Sequence, residues 1–408
     1  LLLIDDEADN ASINTKKDKD LDPTAINKGI RTLIGQFNRS AYVGYTATPF
    51  ANIFIAQDES DLFPRDFIIN LPAPTNYIGP EKVFGTSMDV EEEEDLLPIV
   101  VPISDYLTFI PEGHKKNDPK PTFADIPESL KTAIKSFILT CAIRLARGQE
   151  NKHNSMLIHV SRYQLWQNEI KELVAQQFSY YKQEIEANDP SVLSEFQDLL
   201  ENDYTETTNK IKNSTLSNID HCLQVHQWED IKPLLFKVVQ KIEVKSINGS
   251  SGDIVDYQLN SKNGVSVIAI GGDKLSRGLT LEGLSISYFL RASKMYDTLM
   301  QMGRWFGYRP GYVDLCRLFT SAELNEWYRH IASAELREEF NYLAESRSTP
   351  DKYALKVRTH PGCLQITALN KMRNTKEIQV SWASRLIETY QLPIDKGLKN
   401  RNLVATDE

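Results

Sequence analysis

What constrains this chain most is how its first apolar run ends. Leu1-Leu2-Leu3-Ile4 gives way at once to Asp5-Asp6-Glu7-Ala8-Asp9. A short run of aliphatic residues bounded by polar ones reads as a strand buried on both faces, the kind found in parallel sheets. Parallel strands need crossover connections, usually helical, so an α/β fold is expected. Carboxylates at the carboxyl end of such a strand lie where open α/β sheets bind ligands. In phosphoryl-transfer proteins one of them holds Mg2+, and a following glutamate orients the attacking water. Taken alone, the same letters also suit a strand that runs into a solvated acidic turn.

Composition narrows the classes. The chain has 408 residues, room for two or three cored domains. Hydrophobic residues make up 41% and charged residues 25%, an ordinary globular balance. No apolar run approaches a membrane span and the start lacks a signal-peptide layout, so a cytoplasmic protein away from membranes is expected. Cys141, Cys222, Cys316 and Cys363 form no CxxC pair, which suggests neither a zinc knuckle nor a disulfide framework. The net charge of −10 argues against passive coating of nucleic acid, so any such contact must use local basic stretches. The chain opens inside a strand and without Met, and it is expected to be a fragment of a longer protein.

Periodicity places the remaining elements. A helix is predicted over 23–37, capped by Asp22 with Pro23 first, its apolar face formed by Ile26, Ile30, Leu33, Ile34 and Phe37. Ala41–Tyr45 reads as a strand, and 58–125 as irregular, with Glu91–Asp95 a solvated acidic loop. A second α/β region opens with a helix over 127–147 closed by Gly148. Strands are predicted at 155–160, 265–270, 284–290 and 312–319, and helices at 296–306 and 321–346. The mostly helical stretch of about 163–262 reads as an insertion. Domains are accordingly expected at 1–125, 126–320 and 321–408, without internal repeats.

Further segments carry chemistry. Tyr45-Thr46-Ala47-Thr48-Pro49 follows a strand, and its hydroxyls can bond the acidic strand end, although Thr-rich turns are common. Gly271-Gly272-Asp273-Lys274-Leu275-Ser276-Arg277-Gly278-Leu279-Thr280 also follows a strand. Its glycines allow close backbone approach, while Lys274, Ser276, Arg277 and Thr280 can meet phosphates; a Gly-rich hairpin is the plain alternative. In Gln301-Met302-Gly303-Arg304-Trp305-Phe306-Gly307-Tyr308-Arg309, an arginine at a domain face can stabilise a transferring phosphoryl group; an ordinary surface ion pair is equally compatible. The acidic strand end precedes the Thr-Ala-Thr turn by about forty residues, and the two later segments lie about thirty apart.

In this order the segments resemble superfamily-two helicases. Asp5–Asp9 resembles their Walker B motif, Thr46-Ala47-Thr48 their motif three, Ser276-Arg277-Gly278-Leu279 motif five and Gly303-Arg304 motif six. More narrowly, Tyr42–Asn52, Ser276–Gly283 and Met295–Tyr312 resemble the Z-one domain family, whose name is tied to bacterial endonucleases of phage-defence type. The resemblance spans roughly 1–319. It implies two RecA-like P-loop NTPase lobes, the first truncated and the second complete, using ATP and Mg2+ to move on or remodel nucleic acid, with DNA expected. It makes Asp6 the Mg2+ residue, Glu7 the catalytic carboxylate and Arg304 the arginine finger. Asp5, Thr46, Thr48, Gly272, Asp273, Arg277, Gly278 and Gln301 would then line the nucleotide cleft. Partner subunits of a defence system would fit the same resemblance.

Departures qualify it. Where motif six often carries a second arginine this chain has Gly307, with Arg309 two residues further on, so either Arg304 or Arg309 could reach phosphate. Met300-Gln301 replaces the motif's leading His-Arg pair. No Gly-Lys dipeptide occurs, so there is no GxxxxGK[ST] loop; the phosphate cradle is expected upstream, and this chain alone is expected to be inactive. Two readings from other classes stand beside the motor: a degenerate scaffold that binds partners without hydrolysis, and a metal-dependent endonuclease. For the latter only Glu243-Val244-Lys245, after Asp230, fits a loose acid-x-Lys pattern, which alternating charge on an exposed strand also explains. The basic stretch 351–376, with Lys352, Lys356, Arg358, Lys371, Arg373 and Lys376, suits a backbone-tracking surface. Ser161-Arg162 at a strand end is another candidate phosphate contact.

Overall fold

The computed structural model describes residues 1–16, 23–55, 61–85, 96–107, 109–111, 114–116, 118, 125–247, 257–272, 280–291, 293–332, 340, 349–350, 357 and 364–372. Leu1–Arg373 form one compact unit. Its first strands, β1 (Leu2–Asp6) and β2 (Ala41–Tyr45), pair in parallel with Ile4 opposite Val43 and Asp6 opposite Tyr45. The crossover between them is α1 (Ala25–Gly35). This helix begins two residues later than the sequence predicts. Thr24 donates through its amide to Asn14 and through its hydroxyl to the Ile13 carbonyl, which holds the approach extended and makes Thr24 the N-cap residue. Asp22 lies outside the described residues. Ile26, Leu33 and Phe37 stay exposed, and only Asn27 of the helix is buried. A pair of strands offers too little surface to cover such a stripe. For the same reason β1 is not the doubly buried strand its letters predict, with Leu2 61% and Ile4 60% exposed.

The main layer is a six-stranded sheet, parallel throughout. Its strands are β3 (Val100–Ile103), β4 (Asn154–His159), β5 (Ile242–Ile247), β6 (Ser266–Gly271), β7 (Leu284–Phe289) and β8 (Arg317–Ser321), in spatial order β3-β8-β7-β4-β6-β5. Every residue of β4, β7 and β8 is buried, as a parallel sheet covered on both faces requires. Two strands depart from the sequence reading. β3 lies in the stretch read as irregular, so the sheet reaches upstream of the boundary expected near 125. β5 lies in the stretch read as an insertion, so that excursion returns to the sheet as an edge strand. β8 begins at Arg317 because Val313–Leu315 turn in a 3-10 helix.

The helices follow α2 (Pro80–Phe84), α3 (Glu128–Ala146), α4 (Gln164–Glu186), α5 (Pro190–Leu199), α6 (Thr205–Lys212), α7 (Trp228–Val239), α8 (Tyr296–Met302) and α9 (Ala322–Ala332). α8 stops four residues short of the predicted 306, at Gly303. Of the helix predicted over 321–346, most residues beyond Ala332 lie outside the described set, as does Glu91–Asp95. α3 is buried nearly all round, packed on β7 and β8 with α5 and α7 against it. A helix apolar on every side must be enclosed, and the helices between β4 and β5 enclose it.

Buried charge fastens those helices to the sheet. Arg147, after α3, donates to both carboxylate oxygens of Asp314 at 2.8 and 2.7 Å. Thr208 of α6 donates to the same carboxylate at 2.6 Å. A turn of π-helix over Leu200–Tyr204 brings Asp203 to Arg317 of β8 at 2.8 Å, and the Arg317 guanidinium lies over the Tyr204 ring at 4.4 Å from its centroid. Asp314 is fully buried, so removing it leaves Arg147 uncompensated. Asp314→Ala should cost about 3–5 kcal/mol in urea unfolding. Lys245→Ala, which breaks the partly exposed Lys245–Glu243 pair of β5, should cost less than about 1 kcal/mol. Equal costs would contradict this account.

Candidate functional site

The main sheet reverses its winding at β4. From β4 the chain reaches β5 and β6 on one side, then crosses to β7 and β8 on the other. The carboxyl ends of β4, β6 and β7 therefore splay at a switch point, where α/β sheets leave room for ligands. Ser161-Arg162, Gly272 and Arg291 follow these ends. Gly272 lets the backbone pass close to its neighbours, since a Cβ there would displace the Gln167 amide at 2.3 Å and press on the Arg162 backbone at 3.3 Å.

Opposite lies the end of β1. Glu7 adopts φ +58°, a left-handed backbone that non-glycine residues seldom take and that recurs at functional sites. Asp5 accepts from the Tyr42 hydroxyl at 2.6 Å, while Asp6 and Glu7 are exposed. Burial, reinforced by Asp5, holds the Tyr42 phenol protonated well above its usual range. Beyond the left-handed residue the chain turns inward and buries Ala8 and Asp9.

Asp9 is where the segments meet. It is 1% exposed. Its carboxylate accepts from Thr46 Oγ1 at 3.0 Å, Thr48 Oγ1 at 3.2 Å and Gln301 Nε2 at 2.9 Å. Gln301 also donates to Thr48 Oγ1 at 3.0 Å, and Lys371 Nζ donates to the Asp9 carbonyl at 2.7 Å. Phe50, just past the threonines, packs edge-on against Tyr296 at the start of α8. Sequence reasoning quoted Asp9 without giving it a role. The available signal was the paired hydroxyls at 46 and 48, which call for an acceptor with two oxygens.

The two arginines after α8 have different surroundings. Burial lowers the affinity of the Arg304 guanidinium for its proton, and the Glu7 charge opposes that effect, so Arg304 sits within the field of the acidic strand end. Arg309 donates to the carbonyls of Arg304, Trp305, Phe306 and Tyr308 at 2.8–3.2 Å, fastening the turn that carries Arg304. Gly307 has φ +123° and exchanges two 2.9 Å backbone hydrogen bonds with Ile78. A side chain there would be strained, which is why no arginine occupies the position.

The end of β4 is rich in imidazole and guanidinium. Ser161 Oγ lies 2.8 Å from His114 Nε2, whose ring packs against Trp166. Arg162 lies over the Tyr163 ring and donates to its hydroxyl at 2.7 Å. Burial, aided by Arg291 and Arg304, pushes the His159 imidazole down to about 3, and its Nε2 has no hydrogen-bond partner among the described residues. Sequence reasoning missed His114, His159 and Arg291, because no motif includes them. Thr280 is exposed, whereas Asp273, Lys274, Ser276, Arg277, Gly278, Lys356 and Arg358 lie outside the described residues. Lys371, assigned by composition to a nucleic-acid surface, is directed to Asp9 instead. Glu243 pairs with Lys245 at 2.7 Å along β5. Among the described residues no group of three or more His, Cys, Asp or Glu could hold a metal ion, and no helix is long and apolar enough to cross a membrane.

Among known families, the Z1 domain model matches residues 129–364, more than half of the chain. No curated protein and no solved structure matches it.

The buried imidazole generates a measurable consequence. His159 stays neutral when folded, whereas the unfolded chain binds a proton below about 6.5. Its contribution to stability is therefore complete above pH 6.5 and is lost as pH falls toward 3, at up to about 1.4 kcal/mol per pH unit. In urea unfolding across pH 7 to about 4.5, the parent should lose stability more steeply than His159→Gln. Parallel curves would show that His159 carries no such penalty.

Proposed function

The chain belongs to the Z1 domain family, and on that footing we propose that it forms part of an ATP-hydrolysing motor that acts on nucleic acid, with DNA as its substrate. The observation that carries the proposal is Asp9. One buried carboxylate gathers the acidic strand end, the Thr-Ala-Thr turn and the Gly-Arg helix, the three segments whose letters resemble helicase motifs two, three and six. In this reading the two-stranded and six-stranded sheets belong to two RecA-like lobes that meet across the cleft.

Each residue then has a task. Asp6, exposed at the strand end, is available to hold Mg2+ through water or directly; when bound, that ion would neutralise charge on the phosphate oxygens. Glu7 takes a proton from the attacking water, its carboxylate turned by the left-handed backbone. Arg304 stabilises the charge that develops on the transferring phosphoryl group. Arg309 holds the turn in shape from behind. Arg162 and Arg291, at the strand ends, face the backbone of the nucleic acid, while Ser161 is buried and bonded to His114 beside them. The sequence contains no GxxxxGK[ST] loop, so the proposal requires that loop from outside these residues.

Mg2+-dependent ATP turnover by the full-length protein provides the test. Glu7→Gln should abolish turnover and leave nucleotide binding largely in place. Arg304→Ala should lower turnover by on the order of 10³–10⁵ with a much smaller change in affinity. Arg309→Ala should lower the melting temperature and reduce turnover less. Parental turnover in both Glu7→Gln and Arg304→Ala would overturn the proposal. A parent that binds nucleic acid but hydrolyses nothing would favour a scaffold.

A further inference from the structure

Residues 364–372 carry no motif, yet they touch both halves of the site. Gln365 forms a parallel bridge with Met295, donating to the Lys294 carbonyl at 2.6 Å and accepting from the Tyr296 amide at 2.9 Å. Thr367 Oγ1 donates to Asp297 Oδ2 at 2.7 Å, with both residues buried. Leu364 and Ile366 are buried in the main core, and Met372 packs against it. The segment is thus laid along the start of α8, the helix that carries Gln301 toward Asp9 and leads into Arg304. Its far end places Lys371 Nζ 2.7 Å from the Asp9 carbonyl.

That carbonyl belongs to the turn that sets Glu7. The turn has few ways to move: Glu7 is left-handed, the Ala8 amide donates to the Tyr45 carbonyl at 3.0 Å, and the Ala8 carbonyl accepts from Asn52 at 3.0 Å. Lys371 adds an ammonium donor to the Asp9 carbonyl, beside a side chain that already accepts from Thr46, Thr48 and Gln301. A charge-assisted hydrogen bond of this kind is among the stronger polar contacts.

We propose that Lys371 is a positioning residue for hydrolysis: from a segment anchored on α8 it fixes the turn Glu7–Asp9, so that the catalytic carboxylate and the arginine helix are held in one register. The inference rests on the motor reading above. It also gives the basic stretch 351–376 a second task, since its Lys371 reaches the hydrolytic turn rather than a strand of nucleic acid.

The experiment is steady-state ATP hydrolysis by the full-length protein with Lys371→Met and Lys371→Arg, alongside Glu7→Gln. Lys371→Met should lower kcat about tenfold or more, with KM and the affinity for a non-hydrolysable ATP analogue within about twofold of the parent. Lys371→Arg keeps a cationic donor and should restore kcat to within about threefold. Far-ultraviolet circular dichroism and the melting temperature check that Lys371→Met is folded. In parallel, acetylation by a water-soluble succinimidyl ester, read by peptide mass spectrometry, should leave Lys371 slower to react than the exposed Lys28 of α1. Parental kcat in Lys371→Met, while Glu7→Gln is inactive, would overturn this inference and leave the motor reading standing. Loss in Lys371→Met through KM alone, or no rescue by arginine, would overturn it as well. Parental turnover in Glu7→Gln would remove the motor reading itself; fast acetylation of Lys371 would remove the contact.

Discussion

A carboxylate taken out of water has to be compensated, and Asp9 is buried almost completely. It draws its compensation from Thr46 and Thr48 after β2 and from Gln301 of α8. Those partners could satisfy it only by bringing the two-stranded sheet against α8, the helix between β7 and β8. The joint is thus polar where most packing in the unit is apolar, and polar joints are directional. Phe50 against Tyr296 and the Ile78–Gly307 backbone pair add apolar and main-chain contacts to the same joint. Such an arrangement fixes which atoms meet and holds the two sheets in one register.

The second constraint is enclosure. A parallel sheet must be covered on both faces, and α3 is itself buried on nearly every side, so one layer of helix is not enough. The helices between β4 and β5 supply the outer layer, and polar contacts pin them: Thr208 of α6 with Asp314, itself paired with Arg147, and Asp203 with Arg317. The π-helical turn over Leu200–Tyr204 has a specific use here, since it turns Asp203 and Tyr204 together onto Arg317. The rigid layer behind the sheet leaves its carboxyl ends as the open edge. There His159 is held neutral among guanidinium groups, so the strand ends offer positive charge undiluted by a nearby acid from β4 itself.

Much of the site was legible in the letters. Asp5–Glu7, Thr46, Thr48, Gln301 and Arg304 stand out because each lies just after a strand or within one helical turn, and local spacing encodes local geometry. Element boundaries moved where backbone polar groups decided them. Thr24, bonded to Asn14, took the cap from Asp22. Gly303 ended α8 early, because its backbone leaves the helical region at ψ 60°. Strands β3 and β5 were hidden because an edge strand has one neighbour and need not be wholly apolar.

By itself the sequence determined the α/β class and the buried central strands, since both follow from periodicity and residue chemistry within a short window. The tertiary structure alone decided their company. Gln301 reaches Asp9 across 292 residues and Lys371 reaches it across 362, and no local pattern encodes a partner so distant. It also separated Arg304, set in the field of Glu7, from Arg309, consumed by four carbonyls. Both read as the same cation in sequence; what distinguishes them is which unpaired groups the folded chain places within reach.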